Sequence, residues 1–579
     1  MVFPEPVAFR WWALLMVMVL VGCGGGDVRM DVDAILHNVT IVDVRDGTLI
    51  TDRAITVSDG TIGHVLHEDR IDEFATETLI DGGGNYVIPA LADAHVHIQS
   101  WSELRSFVRY GVGLVVNMSG HVDHLAMREA VASRETLGPS IVTVGPTLDG
   151  DPPTNPLFIT VDPSTVREIV GWIDEKGYDA VKVYQQMDAD TLRATLEAAS
   201  DRGLMTTGHV SRTIGIAAVI DAGQRYVAHG EELAFEAFDE TSRTYDVKAI
   251  PELADRLSEA GVTVTPMQAY LENIPRQVNG LETYLGSEEM RMVPAATRMS
   301  FDRRQGWFAN REDPEGFSAQ IASLSDFVAA LTVALHERGV PLVLGTDAGF
   351  GGAIPGYGAH EELETLVDAG LTKLAALQTA TLEAGKYASR IDPTRTPWGQ
   401  VRPGYAASLL LLGGNPVESI DATQEIHGVM IDGRWIDQEE LAAMETDLLR
   451  RQAKMLPLSR AFEDAILAGD ADAAAAALAS IPADMAGEPL ITPDNCIFLG
   501  YRHYYGGNRP LAGRLYELCA TMHPYSSPLW IHIARAYESE GDTEAAIRAY
   551  QRAQELNPWY GDPGAAIERL RGENAAVGH

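Results

Sequence analysis

The sequence predicts an α/β fold: a closed (β/α)8 barrel, a discontinuous β-sandwich built from chain on either side of it, and an all-α unit at the end. Three patterns carry that expectation. Strand-like apolar runs alternate with amphipathic helix patterns through roughly residues 91–395, as in strands joined by helical crossovers. Alternating strand patterns flank that stretch at 34–90 and 396–438, so the barrel is inserted into one small β unit. Beyond Glu440 the strand patterns stop and helical periodicity takes over.

The chain has 579 residues, 46% of them apolar and 22% charged, a globular balance that excludes a disordered, collagen-like or coiled-coil protein. Acidic residues number 82 against 44 basic, a net charge of −38 that argues against a nucleic-acid partner. No nucleotide-binding glycine motif is present. Only six of the basic residues are lysines, so a lysine inside an apolar strand is conspicuous.

In chain order, residues 1–22 read as a secretory signal: Arg10, an apolar run from Trp11 to Val21, then Gly22. The run is too short for a transmembrane helix, which needs ~20 apolar residues. Leu20-Val21-Gly22-Cys23 resembles the bacterial lipobox. That resemblance implies a cell-envelope lipoprotein, acylated on Cys23 and anchored to the membrane through its lipid. Because Gly24 follows the cysteine, it implies the outer membrane, facing the periplasm or the exterior.

In the sandwich, Asn38–Val44 and Ala54–Val57 are strands, punctuated by the hairpin signals Asp46-Gly47 and Asp59-Gly60. The pattern returns at 407–412 and 428–433. Eight barrel strands are expected to end near His97, Met118, Val144, Tyr184, His209, His229, Pro266 and Thr346. Eight strands over this length make a (β/α)8 TIM barrel, whose active site lies at the C-terminal strand ends. The long connection 267–325, with Tyr270, Tyr284 and Trp307, is expected to form a lid or a substrate-facing excursion.

In the helical unit, an offset of 34 aligns Gly507 with Gly541, Ala512 with Ala546, Tyr516 with Tyr550 and Pro524 with Pro558. This spacing resembles tetratricopeptide (TPR) repeats over 456–562, with a degenerate helical pair at 458–484. Such repeats either present a groove to a protein or peptide partner or pack against the barrel. Cys496 and Cys519 either form a disulfide or are small buried side chains.

The chemistry concentrates at the expected strand ends. In His95-Val96-His97 the two imidazoles point to one side of a strand and can reach one ion. Lys182 lies in the apolar run Tyr178–Tyr184, and His209, His229 and Asp347 end later runs. Lys182 to His209 is 27 residues and His209 to His229 is 20, each about one strand-helix unit.

The order H-x-H, Lys, His, His, Asp resembles the amidohydrolase superfamily over about 34–438. The stretches Val87–His97, His360–Leu363 with Ala369–Thr372, and Gly413–Pro416 strengthen the likeness, which is greatest to the imidazolonepropionase-related and prolidase-like branch. The resemblance implies two divalent ions, zinc foremost. His95, His97 and Asp347 would hold one, His209 and His229 the other, and a carbamate on Lys182 would bridge them. Burial suits that carbamate, because desolvation favours the neutral amine that reacts with carbon dioxide. It further implies that the ions activate a water and polarise the scissile carbonyl, while Asp347 acts as general base and acid. Tyr184 and His121, with His124, are candidate substrate contacts. The prolidase-like Gly-Gly-His-Gly-Asp stretch is absent, Val144–Gly150 standing in its place, which leaves peptide specificity open.

The expected activity is hydrolysis of a small amide or peptide substrate, such as a dipeptide or N-acyl amino acid. The alternatives are a mononuclear deaminase, a cyclic-amide hydrolase, or a non-catalytic TPR lipoprotein scaffold.

Overall fold

The computed structural model describes residues 29–302, 308 and 311–577. The expected signal segment, Cys23 and Trp307 lie outside the described residues.

Two segments far apart in sequence build one mixed eight-stranded sheet. Its order is Arg434–Asp437, Ile426–Ile431, Leu409–Leu412, Tyr86–Pro89, Ala34–Val42, Leu49–Ser58 and Thr61–His67, with Thr78–Asp81 also paired to Ala34–Val42. Alternation places Leu36, Ile55, Val87, Leu409 and Met430 in one core. A bridge between Thr61 and Ala406 ties an edge strand to the chain entering Leu409–Leu412, so the sheet rolls over its own apolar face instead of forming two separate layers. The Asp59-Gly60 hairpin signal is realised: both residues have positive φ, 49° and 73°, as a two-residue turn matched to strand twist requires.

The inserted segment forms a curled parallel sheet with helices between its strands. β1 (Leu91–Val96), β2 (Val112–Asn117), β3 (Ser140–Asp149), β4 (Ala180–Val183) and β5 (Met205–Gly208) pair in that order, and β6 (Tyr226–Val227) pairs with β7 (Thr263–Val264). Nearly every residue of these strands is buried, as expected where helices cover a parallel sheet. The Ala228 N–H donates to Gly208 across 2.9 Å and the Val264 N–H to Pro341 across 3.0 Å, while the Ala94 and His97 N–H groups donate to Leu344 and Ala348. Segment 341–348 therefore runs beside both β7 and β1. Of the expected strand ends, two are corrected: β3 continues to Asp149 through an irregularity between Val144 and Thr147, and the segment expected to end near Thr346 forms no regular strand, making only the isolated bridges Val264 to Leu342 and Val96 to Ala348.

The 267–325 excursion is largely helical. It contains helix Gln268–Leu285, the short helix Ala295–Met299 and the start of helix Pro314–Glu337. Its residues Ala295 and Met299 share a core with the C-terminal helices.

Those helices begin with Gln438–Ala468, capped by Asp437, whose side chain accepts from the Glu440 N–H. Two antiparallel hairpins follow, Pro493–Tyr505 with Arg509–Met522 and Ser527–Glu540 with Thr543–Leu556, ahead of Pro563–Val577. The internal offset is visible in three dimensions. Gly507 and Gly541 sit in the hairpin turns at φ 89° and 80°, and Ala512, Ala546, Tyr516 and Tyr550 are buried at equivalent places. Cys496 and Cys519 form a disulfide across the first hairpin, with their Cα atoms 6.1 Å apart.

Candidate metal centre and catalytic cleft

The parallel strands all deliver their C-terminal ends to one side, and the predicted residues meet there. His95 is fully buried at the end of β1, and His97 is a quarter exposed just beyond it. Their Nε2 atoms lie 3.4 Å and 3.0 Å from Asp347 Oδ1. Ligand atoms of all three fall within 4.8 Å of one another. Lys182, 1% exposed on β4, brings Nζ to 3.5 Å from His95 Nε2. The His229 ring lies 4.7 Å from that of His95 and 4.6 Å from that of His209. The six residues singled out from the sequence thus form one contiguous cluster.

Local backbone geometry aims two of them. His229 and Asp347 adopt φ of 68° and 61° at the ends of their segments, a region that Asp and His enter more readily than most residues and that recurs at functional sites. Glycines let the chain turn away from Asp347 at once. A Cβ on Gly349 would stand 2.0 Å from the His97 carbonyl oxygen, and one on Gly351 would stand 2.3 Å from the Tyr270 ring.

The electrostatics follow from burial. Desolvation pushes the Lys182 amine down to about 7, against the pull of Asp347 and Glu232. Burial and then Lys182 hold His95 well below the usual imidazole value, and burial and His229 do the same to His209. Burial opposes ionisation of Asp347, yet His97, His229 and Lys182 together keep its carboxyl below the ordinary range. His229 is raised: burial works against it, but Glu231, with Oε1 3.5 Å from Nδ1, outweighs burial. The site is thus an ionised carboxylate beside His95 and His209, which burial keeps neutral, and His229, which holds its proton more tightly than usual. The buried Nδ1 atoms of His95 and His209 have no hydrogen-bond partner. An imidazole and carboxylate set of this kind suits zinc and similar divalent ions.

Of the second-tier candidates, Tyr184 belongs to the cleft. Its ring lies tilted 4.0 Å from that of His209 and edge-on 4.7 Å from that of Phe158. His121 is the N-cap residue of helix Val122–Ala132, and burial, then His124, lower its pKa against the pull of Asp123 and of Asp494 from the C-terminal helices. His124 is turned away from the cleft: Nδ1 accepts the His121 N–H and Nε2 donates to the Ile98 carbonyl, each at 2.9 Å. It fixes the loop after β2.

Several participants escaped the sequence reading. Asp93, fully buried in β1, accepts the backbone N–H groups of His95 and Thr346 at 3.2 and 3.1 Å and the Thr346 hydroxyl. It pins β1 to the segment bearing Asp347. Its two-residue spacing from His95 was the available signal. Glu232, 3% exposed, accepts from Gln185 at 2.6 Å and lies 3.4 Å from Arg212, whose guanidinium covers the Phe235 ring at 3.6 Å. No spacing pattern marks that group, which assembles from three loops. Tyr270, with its ring 6.3 Å from that of His229, is the element of the 267–325 excursion that approaches the cleft.

Residues 86–436 match the family model described as the amidohydrolase family. An adenine deaminase of Chelativorans sp. (strain BNC1) is 25% identical over 46% of this chain and 44% of its own length. An ochratoxinase of Aspergillus niger is 24% identical over 42% of this chain and 39% of its own. The chain therefore matches less than half the length of either relative. The solved structure of a bottromycin amidohydrolase superposes with a TM-score of 0.57 at 21% identity, covering 72% of this chain and 90% of that one, a likeness of fold.

Proposed function

The chain belongs to the amidohydrolase family, and from that premise we propose that it hydrolyses an amide C–N bond of a small substrate, such as a dipeptide or an N-acyl amino acid. The observation that carries this reading is the convergence of His95, His97 and Asp347 within 4.8 Å, with Lys182, His209 and His229 packed against them. The unpartnered imidazole nitrogens fit an ion-binding role.

In this reading His95, His97 and Asp347 hold one divalent ion and His209 and His229 a second, zinc in the first instance. Lys182, whose burial leaves much of it as free amine near neutrality, would add carbon dioxide at Nζ and release a proton to solvent, and the oxygens of the resulting carbamate would join the ligands of both ions. The ions, when bound, supply a water of lowered pKa and polarisation of the scissile carbonyl. Asp347, kept ionised by its neighbours, removes the proton from the attacking water and returns it to the departing amine, so the products are a carboxylic acid and an amine. Tyr184 and His121 line the approach to the substrate.

The finer architecture belongs to the same proposal. Residues 91–395 form a (β/α)8 barrel closed through segment 341–348, 34–90 with 396–438 form its companion β unit, and 456–562 form TPR-like repeats that dock a protein or peptide. Cys23 carries a lipid that holds the mature chain at the bacterial cell envelope.

A mononuclear deaminase or cyclic-amide hydrolase is the second reading. It is favoured by the fact that, among the described residues, a tight group of metal-binding side chains forms only at His95, His97 and Asp347, and by the adenine deaminase relative. Metal content measured by plasma mass spectrometry decides between them. In the chain from Gly24 onward, purified with bicarbonate and without chelator, about two ions per chain are expected, falling in Lys182→Ala together with amide hydrolysis. About one ion, with activity surviving in Lys182→Ala, would establish the second reading.

A further inference from the structure

The opposite end of the parallel strands holds a second polar site. Ser140 opens β3, and around it lies a cavity of about 250 Å3 between the curled sheet and the rolled one, lined by Arg134, Arg395, Arg434 and Trp398 and by Asp59 and Asp432. Three guanidinium groups in one cavity stand out in a chain of net charge −38.

The cavity is rich in donors that lack acceptors. Trp398 is 4% exposed and its Nε1–H has no partner. Arg395 is half-buried, but its Nε–H is buried and unpaired, while Nη2 of the same side chain donates to Ser140 Oγ at 2.8 Å, which fixes the direction of its fork. Arg134, held at φ 63°, donates to the Asp432 carbonyl at 3.0 Å. Asp432 offsets part of the charge of Arg395 and Arg134 but hydrogen-bonds to neither unpaired donor. The Asp432 carboxylate is engaged by the Ser408 hydroxyl, and Arg434 pairs outward with Glu440. Buried N–H groups are nearly always paired in folded proteins, so two unpaired donors on residues that line one cavity, beside three guanidinium groups, point to a ligand that brings acceptors and negative charge.

We propose that this cavity binds phosphate, as the free ion or as the terminal group of a small phosphomonoester. A phosphate presents several strong acceptor oxygens and up to two negative charges, matching planar guanidinium forks supplemented by an indole N–H. The volume exceeds what the free ion fills and leaves room for an ester substituent. The site is separate from the metal centre and does not depend on the reaction proposed for it.

Calorimetric titration of inorganic phosphate, and separately of glycerol 1-phosphate, into the chain from Gly24 onward at fixed ionic strength tests the proposal. Saturable binding is expected, weakened at least roughly tenfold in Arg395→Ala. Trp398→Phe keeps the ring and removes only the N–H, and a several-fold loss is expected there. Tighter binding of the ester would identify a phosphomonoester site, and equal or weaker binding a site for the free ion. Absence of saturable heat would overturn the proposal. So would equal affinity in wild type and both variants, which would place the phosphate at the metal centre. Should Arg395→Ala fail to fold by circular dichroism, the Trp398→Phe titration decides.

Discussion

Among single residues, Asp93 separates positioning from catalysis. Its carboxyl is pushed up to about 7 by burial, against the hydrogen bonds from Thr346 and the His95 backbone, and it gathers three donors at the crossing of β1 and the Asp347 segment. Asp93→Ala leaves the His95 N–H and the Thr346 hydroxyl without their acceptor and the Thr346 N–H with only the His95 carbonyl at 3.3 Å, and is expected to destabilise the fold on the order of 3 kcal/mol. Asp93→Asn keeps one oxygen for the two N–H groups and turns an amide toward the Thr346 hydroxyl, which can accept. Urea denaturation should therefore show under about 1 kcal/mol lost in the Asn variant. Equal loss in both variants would show that the ionised carboxylate itself is required. The cluster above Asp93 was legible in the sequence because parallel strands impose a repeating interval, so six ligand-type residues at strand ends could be assigned to one place. The Glu232, Gln185 and Arg212 group was illegible for the converse reason: its members meet through loop geometry, which leaves no periodic trace.

For secondary-structure elements, the same distinction holds. The Asp59-Gly60 turn and the 34-residue offset of the C-terminal hairpins were readable because each is fixed by local conformation. The end of β3 and the helical nature of the 267–325 excursion were not, since tertiary packing decides both. The glycine turn after Asp347 shows how tightly that packing is set. Gly351 combines φ 59° with the Tyr270 ring 2.3 Å from where a Cβ would stand. Gly351→Ala must displace Tyr270, beside His229, or the turn that follows Asp347. Hydrolysis is expected to fall ~10- to 100-fold by this displacement. Gly487→Ala is the matched control, with φ 90° and open space around its Cβ. It carries the same backbone penalty in the helical unit and is expected to leave steady-state activity unchanged. Comparable activity in the two variants would mean that Tyr270 takes no part in shaping the cleft.

For the whole molecule, the C-terminal helices are bound to the catalytic unit by a joint with a buried carboxyl at its centre. Helix Gln438–Ala468 is anchored by ion pairs of Arg105 with Asp447 and Arg109 with Glu445, and by Gln452 donating to the Met290 and Val293 carbonyls. On the far side Tyr560 donates to the Pro156 carbonyl at 3.2 Å. Between them Glu103, fully buried, accepts from the Gln99 N–H at 2.8 Å and from the Thr297 hydroxyl, so it clamps helix Ala295–Met299. Burial raises its pKa to about 7, above the 4.5 of an exposed glutamate. A carboxyl raised in the folded state contributes stability that is complete below its unfolded pKa and is lost as pH climbs through the folded one. For Glu103 that window runs from about 4.5 to 7, so the joint weakens as pH climbs through that range and changes no further above it. Glu103→Gln reproduces the protonated form, since its oxygen can accept from Gln99 and its amide can donate to Thr297. The variant should match wild type in thermal melts at pH 5. At pH 8.5 it should be the more stable by an amount limited to roughly 3 kcal/mol. Should the variant instead be less stable than wild type at both values, Glu103 is ionised in the fold and the Thr297 contact is a charge-assisted bond that ties helix Ala295–Met299 to helix Glu103–Arg109.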